Sequence, residues 1–207
     1  MPNKKDVSTA VVHRLARYYR CLLDMKNRGV GRVSSKILAE VMGLTASQIR
    51  QDLNCFGGFG QQGYGYNVDN LIHEIAVILN LDKGHTAVVV GAGNLGHALL
   101  NNFNFARAGV RVAGAFDTDP KLIGTGVGGV TIRAIGELEP FVQSYRPDIA
   151  VLTLPRIHAV PVAELLCQAG IRGFWNFTSA DLSLPSITVP VENVHFSESL
   201  MTLSYRL

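Results

Sequence analysis

Apolar residues recur at Val11, Leu15, Tyr18, Leu22 and Met25, with spacings of three and four that predict an amphipathic helix from Ser8 to about Lys26. Gly29 and Gly31 break that pattern. Ser34 can cap a second helix carrying Ile37, Leu38 and Val41, which Gly43 stops. Thr45-x-x-Gln48 has capping-box spacing and opens a third helix with Ile49 and Leu53 turned inward. Two short helices joined by a turn containing Gly have the layout of a helix-turn-helix. Residues 56–66 are rich in Gly and aromatics, too Gly-laden for a helix interior. They predict a two-stranded hairpin, the wing of a winged helix. Asn67 can cap a further helix with Leu71, Ile72, Ile75, Ile78 and Leu79 on one face.

Beyond residues 81–85 the pattern alternates. Thr86 to Val90 is a short continuous apolar run, as expected for a strand buried on both faces of a parallel sheet. Similar runs recur at 110–116, 149–154, 171–177 and, less clearly, 187–196, with helical segments at 95–108, 135–145 and 159–169 between them. Alternating β and α predicts a doubly wound, Rossmann-like parallel sheet. The expected organisation is a winged-helix DNA-binding domain over 1–82, a dinucleotide domain over 83–196 and a C-terminal helix over 197–207.

Charge sharpens this division. The net charge is only +3, but up to Asn67 the cations Lys4, Lys5, Arg14, Arg17, Arg20, Lys26, Arg28, Arg32, Lys36 and Arg50 face only Asp6, Asp24, Glu40 and Asp52. A basic first third before a neutral remainder suggests that only the first third meets a polyanion, the alternative being a solvated basic surface. No apolar run approaches the roughly 18 residues a membrane span needs, and no signal-type stretch follows Met1. Cys21, Cys55 and Cys167 are far apart and form no CxxC. Reduced thiols and a cytoplasmic location are the expectation.

Gly91-Ala92-Gly93-Asn94-Leu95-Gly96 follows the first predicted strand directly and opens a helix. Gly91 permits the tight turn, Gly93 lets pyrophosphate approach the backbone, and Gly96 packs helix against strand. Free N–H groups at the helix start favour phosphate. Asp117, with Thr118 after it, ends the second strand about 20 residues beyond the glycines, where a carboxylate can bind a ribose 2′-hydroxyl and repel a 2′-phosphate. NADH and NAD+ are therefore favoured over the phosphorylated forms. A sheet of this kind with an emptied site is the bland alternative. The rest of the site should lie at other strand ends, at Thr153, Leu154 and Pro155, and at Asn176, Phe177 and Thr178. Asn176 and Thr178 could bond the carboxamide or ribose, or equally serve as turn and cap residues.

On the third helix, Ser47, Gln48, Arg50, Gln51 and Asn54 occupy the outer surface if Ile49 and Leu53 face the core. Such side chains suit base edges, although Gln48 can instead be consumed by its capping box. Arg14, Arg17, Arg20 and Lys36 are candidates for phosphates. Gly63, Tyr64 and Tyr66 are candidate wing contacts, or the tyrosines pack the wing onto the helices. Catalysis by hydride transfer needs an acid or base near substrate, for which His158 is the one plausible candidate. It suits a helix start better, so no enzyme activity is expected and the dinucleotide reads as a signal. An NAD-dependent oxidoreductase and a sensor of a flavin or adenylate are the competing readings.

The segments 14–20, 48–53, 56–66, 91–96, Ala115-Phe116-Asp117, Trp175-Asn176-Phe177 and 197–207 together resemble the Rex family of redox-sensing repressors along essentially the whole chain. The resemblance implies a homodimer that binds palindromic double-stranded operator DNA when NADH is low and releases it when NADH binds. It also implies a C-terminal helix swapped between subunits, here with an apolar stripe of Leu200, Leu203 and Leu207, and a place near the nicotinamide for Phe196. Gln51, Gln61 and Gln62 stand where many relatives are basic. Asn102 or Phe103, and His195, stand where some relatives pair a Tyr with an Asp across the dimer.

Overall fold

Residues 7–59 and 64–207 are described by a computed structural model. Contacts divide the chain into two compact units, Met1–Lys83 and Gly84–Leu207.

In the first unit, α1 (Thr9–Asn27) buries Leu15, Tyr18, Leu22 and Met25, the residues of the helical stripe. A two-residue strand β1 (Arg32–Val33) precedes α2 (Ser35–Met42). The Ser34 hydroxyl accepts the Ile37 N–H, and Gly43 closes α2 in the left-handed conformation that glycine adopts without strain. The Thr45 hydroxyl accepts the Gln48 N–H to start α3 (Ala46–Asn54). Asn67 caps α4 (Val68–Ile78) in the same manner through the Asn70 N–H. The buried faces of all four helices form one core with Val33.

The hairpin expected over 56–66 falls partly on residues 60–63, which lie outside the described residues. Strand β2 (Tyr66–Asn67) pairs antiparallel with β1, Val33 opposite Tyr66. Residues 55–59 form a turn and irregular chain, with Phe56 and Phe59 packed on the core. Gly65, at φ +69°, passes so close to β1 that a Cβ would lie 2.7 Å from the Val33 carbonyl oxygen. The open edge supplied by β1 therefore captures β2. Gly63 lies outside the described residues.

The second unit holds a seven-stranded sheet in the order β5-β6-β4-β3-β7-β8-β9. Its central strands are β3 (His85–Val90), β4 (Val110–Asp117), β7 (Ile149–Leu152) and β8 (Gly173–Asn176), all parallel. Helices α5 (Asn94–Asn102), α6 (Leu138–Tyr145) and α7 (Arg156–Ala169) connect the strands. Val88, Val90, Ala150 and Leu152 pack in the core on one face, and Ala87, Val89 and Val151 in that on the other, which explains the continuous apolar runs. Two strands carry no such run: β5 (Gly126–Val127) and β6 (Val130–Ala134) form an antiparallel hairpin whose turn, Gly128-Gly129, has both φ values positive. The run expected over 187–196 shrinks to β9 (Val191–Asn193); Pro190 just before it has no N–H to offer a ladder. The last helix, α8 (Phe196–Tyr205), buries none of its residues. Leu200, Met201, Leu203 and Leu207 are exposed. Among the described residues no helix is long and apolar enough to cross a membrane.

Candidate nucleic-acid face and dinucleotide site

Ile49 and Leu53 are buried, which turns Ser47, Arg50, Gln51 and Asn54 outward on α3. Arg50 reaches back across the turn, its Nη1 donating to Ser35 Oγ at 3.0 Å. Arg17 is also exposed and donates to the Met42 carbonyl at 3.4 Å. In the wing, Tyr64 is 73% exposed, and its carbonyl accepts from Arg32 at 3.3 Å. Tyr66 packs against the helical core. Burial raises its hydroxyl above the usual phenol range, against the lowering influence of Arg50. Of the two tyrosines, Tyr64 is exposed and Tyr66 half-buried.

Two residues expected at DNA face inward instead. Asp52 is 2% exposed and collects four side-chain hydrogen bonds. Arg14 donates from Nε at 2.6 Å and from Nη2 at 2.8 Å, Tyr18 from its hydroxyl at 2.6 Å, and Gln48 from Nε2 at 2.9 Å. Arg14 and Gln48 are thereby engaged inside the unit, and Gln48 neither completes a capping box nor points to bases. Burial works to raise the Asp52 carboxyl, but the bonds from Arg14, Tyr18 and Gln48 outweigh it and hold the carboxyl below its ordinary range. The bond to Asp52 raises Arg14 in turn. Burial and the bond to Asp52 raise Tyr18. The signal was present in the spacing: Asp52 lies three residues after buried Ile49, hence on the inner side of α3.

In the second unit, Gly91, Ala92 and Gly93 turn from β3 into α5 where the sheet order reverses between β3 and β7, the usual crevice of doubly wound sheets. Gly91 has φ +94°, and a Cβ there would lie 2.9 Å from Thr153 and Leu154 backbone atoms. A Cβ on Gly96 would collide with the Gly91 oxygen. A Cβ on Gly93 would meet nothing within 4 Å, so its missing side chain leaves open space beside the helix start. Asp117 sits against this turn. Its Oδ2 accepts the Ala92 N–H at 2.5 Å, and its Oδ1 accepts those of Thr118 and Asp119 at 2.7 and 2.8 Å. A carboxylate offers about four lone-pair positions, so room for a hydroxyl donor remains. The glycine turn, the open face at Gly93, the first-turn N–H groups of α5, which have no acceptor within the helix, and the adjacent carboxylate fit a dinucleotide without a 2′-phosphate.

At the other strand ends the predicted residues divide. Thr153 and Leu154 are half-buried beside the glycine turn, and Pro155 caps α7. Asn176 and Thr178 are turn residues. The Asn176 amide donates to the Ala180 carbonyl and to Asn193 Oδ1, and its oxygen accepts both the N–H and the hydroxyl of Thr178. Both are buried and hold β8 to β9 and the turn. Phe177 carries on an aromatic series: Phe103 to Trp175 at 5.0 Å between ring centroids, Trp175 to Phe177 at 4.6 Å, and Phe177 to Phe196 at 6.1 Å. Phe196 is 61% exposed. Phe103, Phe105 and Trp175 also wall a cavity of about 390 Å³ on the same sheet face. His158 is exposed in the first turn of α7. Among the described residues, no group of His, Cys, Asp and Glu could hold a metal ion.

A helix-turn-helix unit followed by a doubly wound nucleotide-type sheet defines a DNA-binding regulator that carries its own ligand domain. Residues 6–54 match the family model of a putative DNA-binding protein N-terminus, and residues 82–180 that of a CoA binding domain. The chain belongs to the Rex family of redox-sensing transcriptional repressors. It is 50% identical over 207 residues to the Rex repressor of Clostridium botulinum strain Eklund 17B, covering 100% of this chain and 98% of that protein. It is 47% identical to that of Caldanaerobacter subterraneus subsp. tengcongensis, covering 100% and 92%. Among solved structures, the Rex-family repressor RSP in complex with β-NAD+ and operator DNA matches with a TM-score of 0.89 and 47% identity, over 97% of this chain and 92% of that one. RSP in complex with β-NADH also matches with a TM-score of 0.89, at 44% identity over 97% and 94%. The members of this family are regulators.

Proposed function

We propose that this chain forms a homodimeric repressor that holds palindromic operator DNA when NADH is scarce and lets go when NADH binds. The observation that carries the proposal is the presence, in one chain, of an exposed polar face on α3 and a glycine turn backed by Asp117. Ser47, Arg50, Gln51 and Asn54 offer the donors and acceptors that read base edges in a major groove. Arg17 and Tyr64 flank them toward the backbone. In the second unit the first turn of α5 faces the pyrophosphate, and Asp117 holds the adenosine ribose and excludes a 2′-phosphate. The rings of Phe177 and Phe196 border the nicotinamide. An apolar border favours the reduced ring, because the oxidised ring carries a positive charge that is costly to desolvate.

Leu200 and Leu203 of α8, with Leu207 just beyond it, supply an apolar stripe for a second copy. Dimerisation would place two α3 helices on half-sites about 34 Å apart, and a ligand that prefers the misaligned dimer releases DNA. Linkage makes this reciprocal: operator DNA lowers NADH affinity by the same factor. The protein acts as a cytoplasmic sensor and not as an enzyme, with the dinucleotide as its signal. The match to a CoA binding domain favours one second reading, a sensor of another adenine nucleotide.

The test is fluorescence anisotropy of palindromic operator DNA at fixed salt, titrated with NADH, NAD+ or coenzyme A. Release by NADH at far lower concentration than by NAD+ is expected. Equal release by both ends the redox reading, and release by coenzyme A alone supports the second reading.

A further inference from the structure

The glycine turn is pinned from two sides. From β4, the Phe116 carbonyl accepts the Gly91 N–H at 2.8 Å, and Asp117 takes the Ala92 N–H. From β7 the pin is a single side chain. The Thr153 hydroxyl lies 2.6 Å from the Gly91 carbonyl oxygen and 3.3 Å from that of Val90. The Thr153 N–H also donates to the Val90 carbonyl at 2.9 Å. Gly96 completes the knot: its missing Cβ would collide with the Gly91 oxygen and lie 2.9 Å from Thr153 Oγ1. The end of β3, the first turn of α5 and the end of β7 therefore meet at one hydroxyl.

Resting on the dinucleotide reading above, we propose that Thr153 is a positioning residue, fixing the phosphate-binding turn through the Gly91 carbonyl and not touching the nucleotide itself. A hydroxyl has one proton, and here the Gly91 oxygen takes it at short range. Nothing is left to donate to a phosphate, which itself has no proton to give the hydroxyl. The bond holds the Gly91 peptide plane, which sets the direction of the chain through Ala92 and Gly93 into the donors of α5.

Thr153→Val keeps the branched side chain but puts a methyl group where the hydroxyl stood, too large for the 2.6 Å approach to the Gly91 oxygen; Thr153→Ser keeps the hydroxyl. Two measurements on the full chain separate positioning from contact. The first is calorimetric affinity for NADH, NAD+ and ADP-ribose, which lacks the nicotinamide. Thr153→Val is expected to weaken all three by the same factor, about two- to tenfold for one neutral hydrogen bond. The second is amide hydrogen exchange of residues 91–97 without nucleotide, expected to quicken in Thr153→Val and to return to the parent rate in Thr153→Ser. Operator affinity without nucleotide should stay at the parent value. Unchanged exchange in unliganded Thr153→Val overturns the proposal, as does unchanged ADP-ribose affinity or a Ser variant as weak as Val. If the parent protein binds none of the three ligands, the dinucleotide reading falls and takes this inference with it.

Discussion

Replacing Asp52 by Asn keeps the side chain's size and removes its charge, where four donor contacts of 2.6–2.9 Å converge on a carboxylate 2% exposed. The new amide turns one acceptor into a donor facing Arg14 or Tyr18, and the guanidinium loses its counter-charge. Arg14 keeps some contact with water, its side chain being 23% exposed, so part of that loss is screened. Removing one partner of a buried pair costs about 3–5 kcal/mol, and screening places this case toward the lower end. A unit of this size would then melt lower by on the order of 20 °C. Thermal and urea unfolding of the full chain, followed by far-ultraviolet circular dichroism, should show the transition of the helical unit displaced. Tyr18→Phe, which removes one donor and leaves the ion pair, should cost about 1 kcal/mol. An Asp52→Asn protein within about 1 kcal/mol of the parent would refute the view that this carboxylate ties α1 to α3.

The same network makes stability depend on pH at both ends of the scale. Asp52 is held low, so its contribution is full above about pH 4 and fades as pH falls through the folded value. Tyr18 is pushed up, so its contribution is full below about pH 10 and fades as pH rises toward the folded value; urea midpoints across pH would show both losses. Arg14→Lys should lower stability yet leave the salt dependence of operator binding unchanged, whereas removing a phosphate contact such as Arg17 should reduce the slope by about one. Arg50→Ala should abolish operator binding with NADH affinity intact, and Asp117→Ala the reverse; loss of NADH binding in the Arg50 variant would sink the two-module picture. Gly96→Ala should abolish dinucleotide binding, since its methyl group collides with the Gly91 carbonyl, and calorimetry would show it.

What the sequence made legible follows the range of the interactions. Helix starts at Ser34, Thr45 and Asn67 were readable because a cap and the N–H it accepts are three residues apart. The glycine turn and Asp117 were readable because their spacing is that of a strand, a helix and a second strand. The bond that engages Arg14 is hidden because its partner lies 38 residues away and an unpaired Arg looks alike from sequence. The pairing of β2 with β1 is hidden because Gly65 answers to the Val33 carbonyl, in a strand of two residues that no periodicity can reveal. Strand β5 is hidden for the same reason, and β6 because the polar Thr131 and Arg133 interrupt its apolar residues. Asn176 and Thr178 stood at the right strand end for a ligand, but their side chains bond one another and β9.

The aromatic series ending at Phe196 contains the only tryptophan in the chain, Trp175. That gives the molecule one indole fluorophore, in contact with the Phe177 ring of the proposed nicotinamide border. The reduced nicotinamide absorbs light where indole emits, and the oxidised form does not. A reduced dinucleotide seated there would quench Trp175 by energy transfer and glow in its place, while the oxidised one would leave the indole emission largely intact. Seated at that border, the ligand would report its own redox state optically, with no label attached.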